Sequence, residues 1–153
     1  MKNHLDALSY CGPAGLSCDD TKAFKALWLY WDGTKKSYFL VGVTDGPIMV
    51  PNPESATDFM HNPNITKGTK VQLWTLQIPL LNLPPVIVAA IPITDKLAVD
   101  ELLELHKTIV FGLLDNGINL VSYSCDGTET ERSVQKRFSE VADSFISVDI
   151  PGP

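Results

Sequence analysis

Arginine is scarce in this 153-residue chain, which contains only Arg132 and Arg137. Acidic residues outnumber basic ones, with 18 Asp and Glu against 12 Lys and Arg, and the net charge is −6. Binding to a nucleic-acid backbone relies on clustered Lys and Arg side chains. The composition therefore argues against a free-standing nucleic-acid-binding protein. Contact with DNA would require a local basic patch, a metal ion or segments that the chain lacks.

Long apolar runs are also missing. No segment approaches the roughly 18 apolar residues that a membrane-spanning helix needs. The N-terminal residues 1–6 lack the apolar core of a signal peptide. We therefore expect an intracellular protein with no membrane association.

Cysteine is limited to three residues, Cys11, Cys18 and Cys125, with no CxxC spacing and no Cys/His cluster. An odd number of cysteines without a secretion signal indicates reduced thiols, and the spacing provides no zinc site. We interpret Cys18 and Cys125, which lie in apolar runs, as small core residues.

The chain does contain a series of short β-strand patterns. Apolar and β-branched residues between turn residues predict strands at 14–19, 27–32, 37–43, 71–78 and 86–93. Asp32-Gly33 predicts a hairpin turn between the second and third of these strands. The Pro- and Asn-rich segment 45–68 predicts a long loop. At this length the chain fits one domain.

After residue 93 the apolar spacing becomes helical. Apolar side chains from Val99 to Leu113 follow a helical period, with Thr94 or Asp95 as the cap and Asn116-Gly117 as the stop. A strand is predicted at 118–125. Thr128 and Glu131 then have capping-box spacing and open a second helix, and a last strand is predicted at 145–150. This order, an antiparallel meander followed by βαβ units, predicts an α/β fold.

The tripeptide Ser-Cys-Asp occurs twice, each time closing an apolar run, and ends at Asp19 and at Asp126. If the two strands are parallel neighbours, they lie about 4.8 Å apart and deliver both carboxylates to one edge of the sheet. Carboxylates placed in this way can share a divalent cation, as in two-metal phosphoryl-transfer sites. The alternative is that both residues are ordinary solvated turn residues.

The order of elements resembles the ribonuclease H-like fold of DDE transposases and integrases, a mixed sheet with flanking helices. Over roughly residues 14–135 the chain is similar to the catalytic domain of P-element-type, THAP-associated transposases. The similar stretches are Leu16-Ser17-Cys18-Asp19, the hairpin from Tyr30 to Lys36, Gly117 to Ser122, and Ser124-Cys125-Asp126-Gly127. The resemblance implies that Asp19 and Asp126 are two of three catalytic acids that bind Mg²⁺ or Mn²⁺, with Asp20 as the alternative first ligand.

The resemblance further implies metal-dependent DNA strand cleavage and transfer, and a nuclear location. In that family the third acid, usually Glu, lies on a helix after the fifth strand, and we find no such helix in this chain. We therefore expect residues 1–153 to form a single, incomplete ribonuclease H-like domain that is weak or inactive alone. The alternative hypothesis is a non-catalytic α/β interaction module derived from a transposase.

Partner contacts are predicted at two further places. Arg132 and Lys136 are candidates for binding DNA phosphate, although a solvated helix face that also contains Glu131 is the simpler explanation. The last strand would be an uncovered edge, which invites self-association.

The single helical histidine and the tryptophans have simpler explanations. His106 lies on an apolar helix face and is expected to be a core or boundary residue. Trp28, Trp31 and Trp74 are expected to pack in the core or the hairpin, with base stacking as the alternative.

Overall fold

The computed structural model describes residues 10–140, so the strand predicted at 145–150 lies outside the described residues. The strands are β1 (Ala14–Lys22), β2 (Trp28–Asp32), β3 (Ser37–Val41), β4 (Ile48–Val50), β5 (Lys70–Gln77), β6 (Val86–Ile93) and β7 (Leu120–Cys125). The helices are α1 (Ala56–Met60), α2 (Val99–Asp115) and α3 (Glu129–Ser139).

The main sheet has four strands in the order β6-β5-β1-β7. β5 runs antiparallel to both β6 and β1, whereas β1 and β7 are parallel. The chain leaves the sheet after β6, passes through α2 and returns as β7 on the far side of β1. The α/β class with a mixed sheet, predicted from the order of elements, is confirmed at this level.

The hairpin does not belong to the main sheet. β2, β3 and β4 form a separate antiparallel sheet, called here the small sheet, in the order β2-β3-β4. Its inner face packs on α1 around Leu40, Val50 and Ala56. The expected single meander is therefore divided between two sheets.

The segment 45–68, predicted to be a loop, contains β4 and α1. Its prolines and asparagines form the turns around these short elements, which explains why the composition resembles that of a loop. Asn52 Oδ1, for example, accepts hydrogen bonds from the Ser55 backbone N–H (2.8 Å) and the Ser55 hydroxyl (2.7 Å) just before α1.

The core of the main sheet lies on the face covered by α2. Leu16, Trp74 and Leu76 from the strands meet Val110 and Leu113 from the helix. The cap of α2 differs from the prediction, because the helix begins at Val99 and the Glu101 carboxylate accepts the Ala98 N–H (2.9 Å). The predicted stop is confirmed by Gly117, which adopts φ +76°. None of the helices within residues 10–140 is long and apolar enough to cross a membrane.

Candidate active site at the edge of the main sheet

The two Ser-Cys-Asp tripeptides lie side by side. In the parallel pair β1–β7, Ser17 is opposite Ser124 and Cys18 is opposite Cys125. Because the strands are parallel, the aspartates that follow the two cysteines lie at the same edge of the sheet. β1 continues to Lys22, so Asp19 and Asp20 lie inside the strand rather than at its end.

The two aspartates of β1 face opposite sides of the sheet, because successive side chains of a strand alternate. Asp20 shares the helix-covered face with Cys18, and only a quarter of its side chain is exposed. Asp19 is exposed on the other face, together with Ser17, whose hydroxyl is hydrogen-bonded to that of Thr75 (2.6 Å). Asp20 is thus the acid of β1 that faces the helices.

Lys70, the first residue of β5, neutralises Asp20. Its Nζ atom lies 2.8 Å from Asp20 Oδ2 and 3.8 Å from Asp95 Oδ1. The hydrogen bond to Asp20 raises the pKa of Lys70, and the charges of Asp95 and Asp126 act in the same direction. The ammonium group therefore interacts with acids from three different segments of the chain.

Asp126 is held by the turn that begins α3. Its Oδ1 atom accepts the Thr128 backbone N–H (2.9 Å), while the Thr128 hydroxyl caps the helix by accepting the Glu131 N–H (3.3 Å). The predicted cap at Thr128 is confirmed. A hydrogen bond with the Glu131 side chain is the largest cause of a lowered pKa at Asp126.

Glu131 is buried, with only 3% of its surface exposed, and its interpretation as part of a solvated helix face was wrong. Gln72 Nε2 donates to Glu131 Oε1 (3.2 Å) and to Cys18 Sγ (2.7 Å). Burial, followed by the contact with Asp126, raises the pKa of Glu131 to about 7. Burial and the neighbouring Asp126 carboxylate thus favour the protonated form of the Glu131 carboxyl group.

The four acids Asp20, Asp95, Asp126 and Glu131 are called here the acidic edge. Asp20, Asp95 and Glu131 line a cavity of about 140 Å³. Lys70, Gln72 and Thr128 line the same cavity. Larger cavities of about 390 and 440 Å³ bring together no comparable set of interacting acids among their described lining residues. The smaller cavity is the one at the edge that the repeated tripeptides indicate.

Sequence reasoning missed Lys70, Gln72 and Glu131. Lys70 and Gln72 come from β5, about fifty residues from Asp20 along the chain, and reach the edge only because β5 pairs with β1. Glu131 had one available signal, since its capping-box position directs a side chain back toward the turn that contains Asp126.

The two residues predicted to bind DNA phosphate are exposed on α3. Arg132 and Lys136 lie one turn apart on the same face of the helix. A Cβ atom built on Gly127 would lie 3.7 Å from the Arg132 guanidinium, so Arg132 covers the turn beside Asp126. Arg137 instead pairs with Asp100 on α2.

His106 is a core residue, as expected, with 2% of its surface exposed. Its Nδ1 atom is hydrogen-bonded to the Leu102 carbonyl (2.8 Å), and its ring lies between Trp74 and Tyr123. Trp74 is fully buried, but Trp28 is 70% exposed, so the expected core or hairpin packing fails for Trp28.

The described residues 10–140 contain no group of three or more His, Cys, Asp or Glu side chains arranged to hold a metal ion. No family model matches the chain, and neither a curated protein nor a solved structure matches it.

Proposed function

We propose that the chain is a fragment of a ribonuclease H-like DDE transposase core, an enzyme class that cleaves and transfers DNA strands with Mg²⁺ or Mn²⁺. The observation that carries this proposal is the parallel pairing of β1 with β7, which sets Cys18 against Cys125 and brings the acids that follow to one edge. The strand order β6-β5-β1-β7 supports it as well, because the first strand is central and has the late strand as its parallel neighbour.

Asp20 and Asp126 are the acids that would hold a divalent ion. Carboxylate oxygens are the ligands that Mg²⁺ prefers, and both carboxylates act on the same ammonium group of Lys70. The Lys70 ammonium group lies 2.8 Å from Asp20 Oδ2, and the charge of Asp126 attracts the same group more weakly. This edge therefore already attracts a cation, which is the feature that fits a metal. Bound there, Mg²⁺ would supply a Lewis acid for attack on a phosphodiester.

The remaining residues of the acidic edge position and neutralise these acids. The Thr128 N–H and the Glu131 carboxyl group fix the orientation of Asp126. Lys70 neutralises Asp20 and competes with a metal ion for it. Because two carboxylates provide few ligands and one of them is already paired, the fragment alone is expected to bind metal weakly and to be weak or inactive.

A second candidate, a non-catalytic interaction module derived from such a core, is favoured by the same Lys70–Asp20 pair. If the ammonium group permanently replaces the metal, the acidic edge is a structural ion pair and the fold serves only as a scaffold.

A metal titration monitored by thermal unfolding separates the two candidates. We expect millimolar Mg²⁺ or Mn²⁺ to raise the Tm of the wild type, because a ligand that binds only the folded state stabilises it. The increase should be lost in Asp126→Asn and in Asp20→Asn, and should grow in Lys70→Gln, which removes the competing charge.

Asp19→Asn is the matched control, because it changes the neighbouring aspartate on the opposite face of β1. Loss of the shift in Asp19→Asn alone would make Asp19 the ligand and contradict the assignment of Asp20. The absence of any shift in the wild type and in Lys70→Gln would favour the interaction module. Metal-dependent nicking of DNA that disappears in Asp126→Asn would support the site and contradict the expected inactivity.

A further inference from the structure

The outer face of the small sheet is apolar and is left exposed by the described residues 10–140. On this face Trp28 and Tyr30 of β2 lie beside Val41 and Phe39 of β3, with Met49 of β4 at the far side. Trp28 is 70% exposed, Tyr30 56% and Met49 65%. The inner face of the same sheet packs on α1, so the two faces of this sheet have different roles.

The spacing of the aromatic rings suits flat ligands. Trp28 and Tyr30 are two residues apart on one strand and therefore about 7 Å apart. Tyr30 lies directly opposite Phe39, a separation of about 5 Å between side chains. Aromatic rings presented on a sheet surface in this way stack two or three successive bases of a single strand.

The segment of chain that leads into β2 and through the turn after it is locally basic. Residues 22–36 contain four lysines (Lys22, Lys25, Lys35 and Lys36) and a single acid, Asp32, in a chain of net charge −6. The Asp32 carboxylate is engaged in the turn, where it accepts the N–H groups of Thr34 (2.9 Å) and Lys35 (3.0 Å). All four lysines are exposed, and the Lys35 Nζ atom lies 5.1 Å from the centre of the Phe39 ring.

A basic surface continues from the start of β2. Lys25, Lys67 and Lys96 line a cavity of about 430 Å³, and the other described residues of its lining are Asp95 and three threonines. Backbone phosphates following this surface would meet several ammonium groups, while the bases would meet the rings of β2 and β3.

We propose that this outer face of the small sheet, with its surrounding lysines, binds single-stranded DNA. The aromatic rings of this surface are not part of the acidic edge, although Asp95 of that edge lines the adjoining lysine cavity. Only the choice of DNA over RNA rests on the proposed function. A second copy of the chain is a poorer occupant, because symmetric pairing of this face would bring the lysines of two copies together.

Fluorescence anisotropy of a labelled oligothymidylate tests the proposal with the full chain at low salt. We expect Trp28→Leu, which keeps the side chain apolar but removes the ring, to weaken binding by about 5- to 150-fold, the usual effect of losing one stacking partner. Lys35→Gln should lower the salt dependence of binding by about 0.7 in the slope of log K against log salt.

Two matched substitutions serve as controls. Trp31→Leu changes a tryptophan on the inner face of the same strand, and Lys107→Gln changes a lysine on α2; both should bind as the wild type does. Asp126→Asn should also bind normally, so failure of the metal site and failure of this surface are distinguishable.

Several results would overturn the proposal. These are the absence of oligonucleotide binding at low salt, equal affinity of Trp28→Leu and wild type, equal or tighter binding of a duplex of the same length, and tighter binding of oligouridylate. A dimer in sedimentation experiments that dissociates in Trp28→Leu would assign the face to a second copy instead.

Discussion

The pKa of Glu131 is raised mainly because its carboxyl group is buried between α3 and the sheet, against Gln72, where an ionised form loses its hydration. In the unfolded chain the same group has its ordinary pKa of 4.5, against about 7 in the folded protein. The folded state therefore binds this proton more tightly, and its contribution to stability is complete below pH 4.5 and is lost as the pH rises through 7.

We expect Glu131→Gln to be less sensitive to pH than the wild type. Glutamine mimics the protonated acid and can still donate to Asp126. Without metal, the wild type should lose up to about 3 kcal/mol from this group between pH 4.5 and 8, since one pKa unit corresponds to about 1.4 kcal/mol. Urea unfolding at several pH values measures the difference.

His106 has the opposite pH dependence, because burial lowers its pKa. The comparison between wild type and Glu131→Gln removes this contribution, since His106 is present in both. Parallel curves for the two proteins from pH 4.5 to 8 would show that Glu131 is not protonated in the folded state.

At the scale of elements, the path of the chain as it leaves β3 depends on Gly42, the residue that follows this strand. This residue has φ +100°, and a Cβ atom built on it would lie 2.5 Å from the carbonyl oxygen of Ala26. Its own carbonyl accepts the N–H of Gly68 (2.9 Å), which joins the small sheet to the segment before β5. Both the backbone conformation and the close approach require glycine.

Gly42→Ala is expected to destabilise the protein by about 2 kcal/mol or more, because it adds a steric overlap to the strain of a positive φ. Gly46→Ala is the matched control, with φ +93° and no atom within 4 Å of the added Cβ. Gly46→Ala should lose less stability than Gly42→Ala, because it adds only the strain of a positive φ. Equal losses of Tm in the two variants would show that the contact with Ala26 is not important.

The bounds of β2 and β6, the end of α2 and the start of α3 were predictable from the sequence because they depend on local periodicity and turn chemistry. The turn at Asp32-Gly33, the cap at Thr128 and the stop at Gly117 are examples. The division into two sheets was not predictable, since it depends on which edges meet over long separations. For the same reason the cap at Thr128, next to Asp126, was predictable from the local sequence, whereas the burial of Glu131 and its contact with Gln72, and the contact of Lys70 with Asp20, were not.

At the scale of the whole molecule, the two sheets have separate cores. Leu40, Val50 and Ala56 form one cluster, whereas the cluster of the main sheet is built around Leu16, Trp74 and Leu76 with α2. Regions with few shared apolar contacts open independently and exchange their amide protons at different rates.

We therefore expect Leu40→Ala to increase hydrogen exchange in β2, β3 and β4 while leaving β1 and β5 protected. Truncating this buried leucine should lower the stability of its own cluster by about 2–5 kcal/mol. Leu76→Ala, an equal truncation in the main sheet, should increase exchange in β1 and β5. Uniform acceleration of all strands by Leu40→Ala would mean that the two sheets unfold as one cooperative unit.

The strand order has a consequence for how the chain acquires its structure. β2 and β3 are joined by a short turn and can form early, whereas β1 must wait for partners roughly fifty and one hundred residues downstream. Closing such long loops is entropically costly and slows folding. During synthesis the hairpin can therefore form soon after its residues emerge, while β1 stays without its parallel neighbour until β7 has left the ribosome.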